Sequence, residues 1–249
     1  LYKEVEFMRN LQISFGLFLL LIISACSENN ASKHQAAMDL ATAWVTASYT
    51  SQDAALSMVD QNMAGDSVSV GSRYVGFGFV WDPEGDGMVV DYVVPESPAS
   101  GVLMEGDSFV EVNGVKLTNE NRINLGFRGK PGENVDVVIL RDGVEMPISV
   151  ARGAVQIRYS KEQVMNNISN GDAEDWGPED FNIVETGVTN DGVVHVLHWS
   201  EFIEDATGYK ANAYTVTRFM FNDEGKVAWV GNLSEDRFVL EQQGYSITI

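Results

Sequence analysis

The sequence predicts an α+β chain in which one domain interrupts another. Three observations carry this. Apolar residues recur at helical spacing between about Ser32 and Ala64, short β runs broken by turn signals fill the middle, and long alternating strands fill the last third. The early helices lack a partner and the late strands have an apolar face that needs cover. The outer pieces, 32–70 and 156–249, are therefore read as one domain around a middle domain, 71–155.

Residues 1–25 read as a secretory leader. Met8-Arg9-Asn10 is followed by the apolar run Leu11 to Ile23, which has the length of a signal core rather than a membrane span. Glu4 and Glu6 oppose the positive start that such a leader needs, so initiation is expected at Met8. Ile23-Ser24-Ala25-Cys26 resembles the lipobox of bacterial lipoproteins, whose cysteine is lipidated and becomes the mature N-terminus. The resemblance implies a lipid anchor at Cys26 and a polar tether over 26–31. With Ser27 rather than aspartate next, it implies an outer-membrane lipoprotein facing the periplasm. Cys26 is the single cysteine, so no intrachain disulfide can form.

Sixteen Lys and Arg stand against 36 Asp and Glu, a formal net charge of −20. Lys3 and Arg9 cancel Glu4 and Glu6, so removing the leader leaves that charge intact. Such a balance argues against nucleic acid and against anionic lipid surfaces, which both need basic patches.

Ala36, Leu40, Trp44 and Val45 give the first helix its apolar stripe, and Ser51-Gln52-Asp53 caps a second over Ala54 to Met63. "SVSVGSRY" then changes the period to that of a strand. In the middle, strand Met88–Val94 meets Ser97-Pro98-Ala99, read as opening a short helix. Glu105-Gly106-Asp107 turns into strand Ser108–Val112, and Asn113-Gly114 makes a tight hairpin. A short helix over Ser160 to Ile168 leads to strands Gly192–Phe202, Lys210–Phe221 and Lys226–Leu233, the last two joined by "NDEGK".

Six ordered motifs between Gly71 and Val155 resemble a PDZ domain of the type found in carboxy-terminal processing proteases. They are Gly76-Phe77-Gly78-Phe79, Ser97-Pro98-Ala99, Glu105-Gly106-Asp107, Val112-Asn113-Gly114, Arg128-Gly129-Lys130-Pro131-Gly132 and Val138-Ile139-Leu140-Arg141. The resemblance implies a partly open β-barrel that takes extended peptides or protein C-termini as an added strand. It implies that the amides of Phe77, Gly78 and Phe79 receive the terminal carboxylate, where glycine removes the Cβ that would block the approach. It places Ile123 and Phe127 on the wall of the side-chain pocket and Arg73 where a cation assists the carboxylate. The alternative is a PDZ unit used only for packing, in which Phe77 and Phe79 fill their own groove. No Ser/Lys protease segment follows.

The outer pieces resemble the cone-shaped nuclear transport factor 2-like and SnoaL-like families, on Trp44, Asp53, "GDSVSV", Thr207-Gly208, Arg218-Phe219 and Asp223-Glu224-Gly225-Lys226-Val227. That resemblance implies helices over a curved antiparallel sheet, often with a small-molecule pocket, and pairing through the sheet as a homodimer. The pocket candidates are His195, His198, Tyr214, Arg218 and Asn232. Strand alternation sets His195, Leu197 and Trp199 on one face and Val194, Val196 and His198 on the other. No Asp or Glu occupies the middle of these strands, so isomerase-like or cyclase-like chemistry there would rest on one histidine. Three histidines without H-x-x-x-H spacing suggest no metal site, and no phosphate loop, nucleophile elbow or dinucleotide fingerprint points to a cofactor. Three readings follow: a non-enzymatic peptide binder, a small-molecule binder or enzyme with a regulatory PDZ domain, and a structural assembly module.

Overall fold

The computed structural model describes residues 30–82, 85–203 and 208–243. The leader and Cys26 lie outside them. The chain is mixed α+β and divides into two compact units, one from the residues up to Ser67 together with those from Lys161, the other Val68–Ser160. These boundaries differ by a few residues from 70/71 and 155/156 because β1 (Met63–Gly76) and β8 (Gly153–Tyr159) run on as one antiparallel ladder from Ser69↔Tyr159 to Gly76↔Gly153.

In the first unit, α1 covers residues 30–50 and α2 covers Gln52–Asn62. Residues 30 and 31, read as tether, are already helical. Ser51 is extended, and its Oγ accepts the Ala54 amide at 3.1 Å, which stops one helix and starts the next. The buried stripe of α1 runs through Ala41, Trp44 and Val45, whereas Ala36 is exposed. It packs on a sheet in which β9 (Asp180–Val188), β10 (Val194–Ile203), β11 (Lys210–Phe221) and β12 (Val227–Ser234) are successive neighbours, flanked by β1. Trp44 meets Phe219 edge to face at 6.0 Å, above Val194, Val196, Val227 and Val230. A third helix, α3 (Lys161–Ser169), is tied to α2 by Gln52, whose Nε2 donates to the carbonyls of Ile168 and Gly171. A fourth, α4 (Asp236–Gln242), follows β12. No helix among the described residues is long and apolar enough to cross a membrane.

The second unit contains β2 (Phe79–Trp81) paired only with β3 (Val90–Val93), and a four-stranded sheet in the order β5-β4-β6-β7. Its strands are β4 (Ser108–Val112), β5 (Val115–Lys116), β6 (Asn134–Arg141) and β7 (Val144–Ala151). The strand orders do not form a closed barrel among the described residues. Asn113-Gly114 and Asp142-Gly143 make two-residue hairpins with both residues at positive φ. The segment after β3 forms consecutive turns at residues 95–102 rather than the expected helix, because Ala99 donates its amide to Phe77 and so serves the loop before β2. Phe77, Met88, Val90, Leu103, Phe109, Val135 and Ile139 make the core.

Candidate functional site

Two places among the described residues bear on function. The first is the loop joining β1 to β2. Gly78 lies at φ +103°, and a Cβ there would stand 2.2 Å from the Ser97 Cβ. The Ser97 side chain closes on this backbone because its Oγ donates to the Gly78 carbonyl at 3.1 Å, which also accepts the Val94 amide at 3.0 Å. The Phe77 carbonyl accepts the Ala99 amide at 2.9 Å. Both carbonyls are thus turned into the unit, while the amides of Phe77 and Gly78 find no acceptor among the described residues. Phe77 is 1% exposed, and a buried amide left without a partner costs on the order of 1–3 kcal/mol.

The strand that follows extends this row. Phe79 lies opposite Val93, and the flanking Val94-to-Gly78 bond makes that pair the wide, non-bonded kind. The backbone N–H and C=O of Phe79 therefore point away from β3, toward an edge that no described strand covers. The amides of Phe77, Gly78 and Phe79 are thus three successive donors without an acceptor among the described residues, a backbone row of the kind that suits an anion.

Beside this edge stands one turn of 3-10 helix, Arg122–Asn124, so the short helix after Asn119 that Ile123 and Phe127 were expected to share ends before Phe127. The Ile123 side chain lies outside the described residues. Phe127, just beyond the turn, rests on Phe79 at 4.8 Å and on Phe77 at 6.0 Å, completing a cluster with Phe109. Farther along, the Arg122 guanidinium lies 5.0 Å over the Trp81 ring and donates to the carbonyls of Gly85 and Gly87, so it pins the β2–β3 connection.

Arg73 lies on β1, before this loop. It pairs across to Gln156 and lines a cleft of about 170 Å³ with Pro95, Glu96 and Arg158. The cleft also includes Val155, whose Cγ2 would stand 3.4 Å from an ideal Cβ on Gly78.

The second place lies on the inner face of the first unit. A cleft of about 700 Å³ is lined by Tyr49 and Ser48 from α1, Trp176, Ser200, Phe202, Ala213 and Thr215 from the sheet side, and Asp236 and Leu240 from α4. Trp176 is held by its indole N–H, which donates to the Ser48 carbonyl at 3.0 Å. Beneath the lining, His198 is 1% exposed, with Nε2 2.9 Å from Thr217 Oγ1 and Nδ1 3.4 Å from the Tyr49 hydroxyl. Burial lowers the His198 pKa to about 4, so the ring is neutral at neutral pH. Burial likewise raises the Tyr49 hydroxyl above its usual value.

The five expected pocket residues do not come together here. His198 is on the inner face, but His195, Tyr214 and Arg218 lie on the opposite one, as the two-residue period of β10 and β11 requires. Arg218 sits 4.9 Å over the Trp229 ring. Asn232, opposite Thr217, has the inner register but is exposed. The cleft residues that sequence reasoning missed come from Tyr49 at the end of α1, from Trp176, and from α4, none of which carries a sequence signal for a pocket. No group of three or more His, Cys, Asp or Glu among the described residues is arranged to hold a metal ion.

No protein-family model matches the chain. Among curated proteins it is similar to the pro-apoptotic serine protease NMA111 of Ajellomyces capsulatus, 33% identical over 72 residues. That match covers 28% of this chain and 7% of the protease, so the chain spans only a small part of the curated relatives it matches. Among solved structures it is similar to the HtrA3 PDZ domain bound to a phage-derived ligand (FGRWV), with a TM-score of 0.26 and 21% identity, covering 36% of this chain and 93% of that one. It is also similar to a phenazine biosynthesis-related protein from Pseudomonas aeruginosa, with a TM-score of 0.40 and 9% identity, covering 89% of this chain and 94% of that one.

Proposed function

We propose that the Val68–Ser160 unit is a PDZ-type domain that binds extended peptides or protein C-termini as a strand added to β2, without doing chemistry on them. One observation carries this reading: the buried, unpartnered amides of Phe77 and Gly78 continue into the outward-facing backbone of Phe79. A carboxylate at a peptide's end would satisfy the amides, and its preceding residues would bond the free edge. The Phe79–Phe127 contact favours compact apolar last side chains. The rest of the reading is that Cys26 is lipidated, that the protein is held at the outer membrane facing the periplasm, and that the other unit is a cone-type domain. Its support is the lipobox pattern Ile23-Ser24-Ala25-Cys26 and the placing of α1 and α2 over one face of the sheet.

The test is fluorescence polarisation with a library of C-terminal peptides ending in apolar residues, each made with a free and an amidated end. Binding at micromolar concentrations is expected for some free-ended peptides, with amidation weakening it about tenfold, since charge-assisted hydrogen bonds are worth roughly 1.5–3 kcal/mol. A library with no binder would leave the unit a packing module.

The inner-face cleft supports a second reading, in which the first unit holds a small apolar molecule beside Tyr49. Its size is that of ordinary ligand pockets, which run from about 300 to 1,000 Å³. Replacing Ala213, which is 3% exposed and lines the cleft, by phenylalanine is expected to abolish uptake of an apolar fluorescent probe such as ANS. Unchanged probe uptake by that variant would remove this reading.

A further inference from the structure

We propose that Arg128 is the cation that meets the peptide's terminal carboxylate, a role the sequence pattern had suggested for Arg73; this rests on the peptide-binding reading above. Three observations converge on the residue. First, the segment bearing it lies against the start of the carboxylate loop. An ideal Cβ on Gly76 would stand 2.7 Å from the Tyr74 ring and 3.5 Å from the Phe127 carbonyl, so Tyr74, Gly76 and Phe127 are immediate neighbours. Second, the Arg128 guanidinium is held 4.7 Å over that same Tyr74 ring, so the ring shelves the charge on the side of Gly76, the residue before the loop. Third, Arg128 is exposed and has no carboxylate partner among the described residues. Its charge is therefore free to meet an anion, unlike that of Arg152 behind it, which is paired with Glu133.

The turn is also held in place from behind. Arg152, with a side chain only 8% exposed, donates through Nη2 to the Gly126 carbonyl at 2.5 Å and packs so near Gly129 that a Cβ there would stand 3.0 Å from its Nε. The loop that carries Phe127 and Arg128 is therefore anchored at both ends of the pair. One short segment thus supplies both the groove wall and the charge at its mouth. Gly76 permits this arrangement, because any side chain at that position would displace the Tyr74 ring on which Arg128 rests.

The experiment compares one free-ended peptide with its amidated twin on the purified protein and on R128Q, R128K and R73Q. R128Q is expected to weaken the free-ended peptide about fivefold, as for a solvent-exposed charge pair, while leaving the amidated peptide unchanged. R128K is expected to restore most of the difference because it keeps the charge. Raising the salt concentration is expected to narrow the free-to-amide ratio in the unsubstituted protein more than in R128Q. Circular dichroism melting curves identify any variant that fails to fold. An R128Q protein that discriminates as well as the original, or an R73Q protein that loses the discrimination instead, would overturn the assignment. If no free-ended peptide binds the original protein, the peptide-binding reading itself fails, a result distinct from either.

Discussion

Replacing Asp107 with alanine is expected to cost the Val68–Ser160 unit about 3–5 kcal/mol, the loss typical of a buried ion pair stripped of one partner. The Asp107 side chain is 1% exposed, and Arg141 reaches it with two parallel bonds, Nε to Oδ1 and Nη2 to Oδ2, both 2.7 Å. The Met104 amide adds a third at 2.8 Å. Arg141 also donates to the Val102 carbonyl, so this one cluster joins the turn after Ala99 to the end of β6. Removing the carboxylate leaves a guanidinium, 20% exposed, without the anion that it bonds twice. Since whole domains have stabilities of only about 5–15 kcal/mol, the unit would be marginal or unfolded at 37 °C. A melting midpoint within two or three degrees of the original would contradict this.

The same cluster sets an acid limit. Burial works against the charged form of Asp107, but the bonds from Arg141 and Met104 outweigh it and hold the carboxyl below its ordinary value of 3.8. A lowered folded-state value means that the contribution is complete above that ordinary value and disappears as pH falls through the lowered one. Acid unfolding of this unit should begin only below about pH 4, and D107N should remove that part of the pH dependence.

The second large effect is expected at Gly78. Alanine there faces φ +103°, a conformation L-residues rarely adopt, and its Cβ would stand 2.2 Å from the Ser97 Cβ. Ser97 cannot retreat cheaply, because its hydroxyl and amide bond the Gly78 and Val94 carbonyls. Backbone strain and overpacking, each about 1–3 kcal/mol, together predict a loss of roughly 3 kcal/mol or more. Peptide binding should fall further than stability accounts for, because the Phe77 and Gly78 amides would turn. Gly76→Ala should be milder: its Cβ meets the edge of the Tyr74 ring, which can swing. Equal effects at the two glycines would show that packing alone explains them.

The elements with strong local signals were legible in the sequence. Lys210–Phe221 is a strand with the expected alternation, Asn113-Gly114 is a tight hairpin, and Ser51 is a helix cap. The alternation also placed His195 and His198 on opposite faces of β10. What was not legible depended on contacts between distant residues. The partners of Gly78 are Val94 and Ser97, and nothing local shows that Ser97, rather than a ligand, forbids a side chain there. Arg73 lines a cleft with Glu96 and Arg158, residues far from it in sequence that the β1–β8 ladder and the turn after β3 bring to it. Arg128 is fifty residues from Gly78 and comes near only through the stacking of Tyr74. The turns at 95–102 formed instead of a helix because the Ala99 amide serves the loop before β2. β9 has too few apolar residues in strict alternation to stand out, and its pairing with β10 supplies what local pattern lacks.

The most direct test of the central claim is a nitrogen-15 NMR titration of the protein with a free-ended C-terminal peptide. The amide resonances of Phe77, Gly78 and Phe79 are expected to move most. These three amides, fast-exchanging in the free protein, are also expected to become protected from hydrogen exchange on binding. Shifts confined to the Arg73 and Arg158 cleft or to the inner face of the other unit, with the three loop amides unmoved, would contradict that claim.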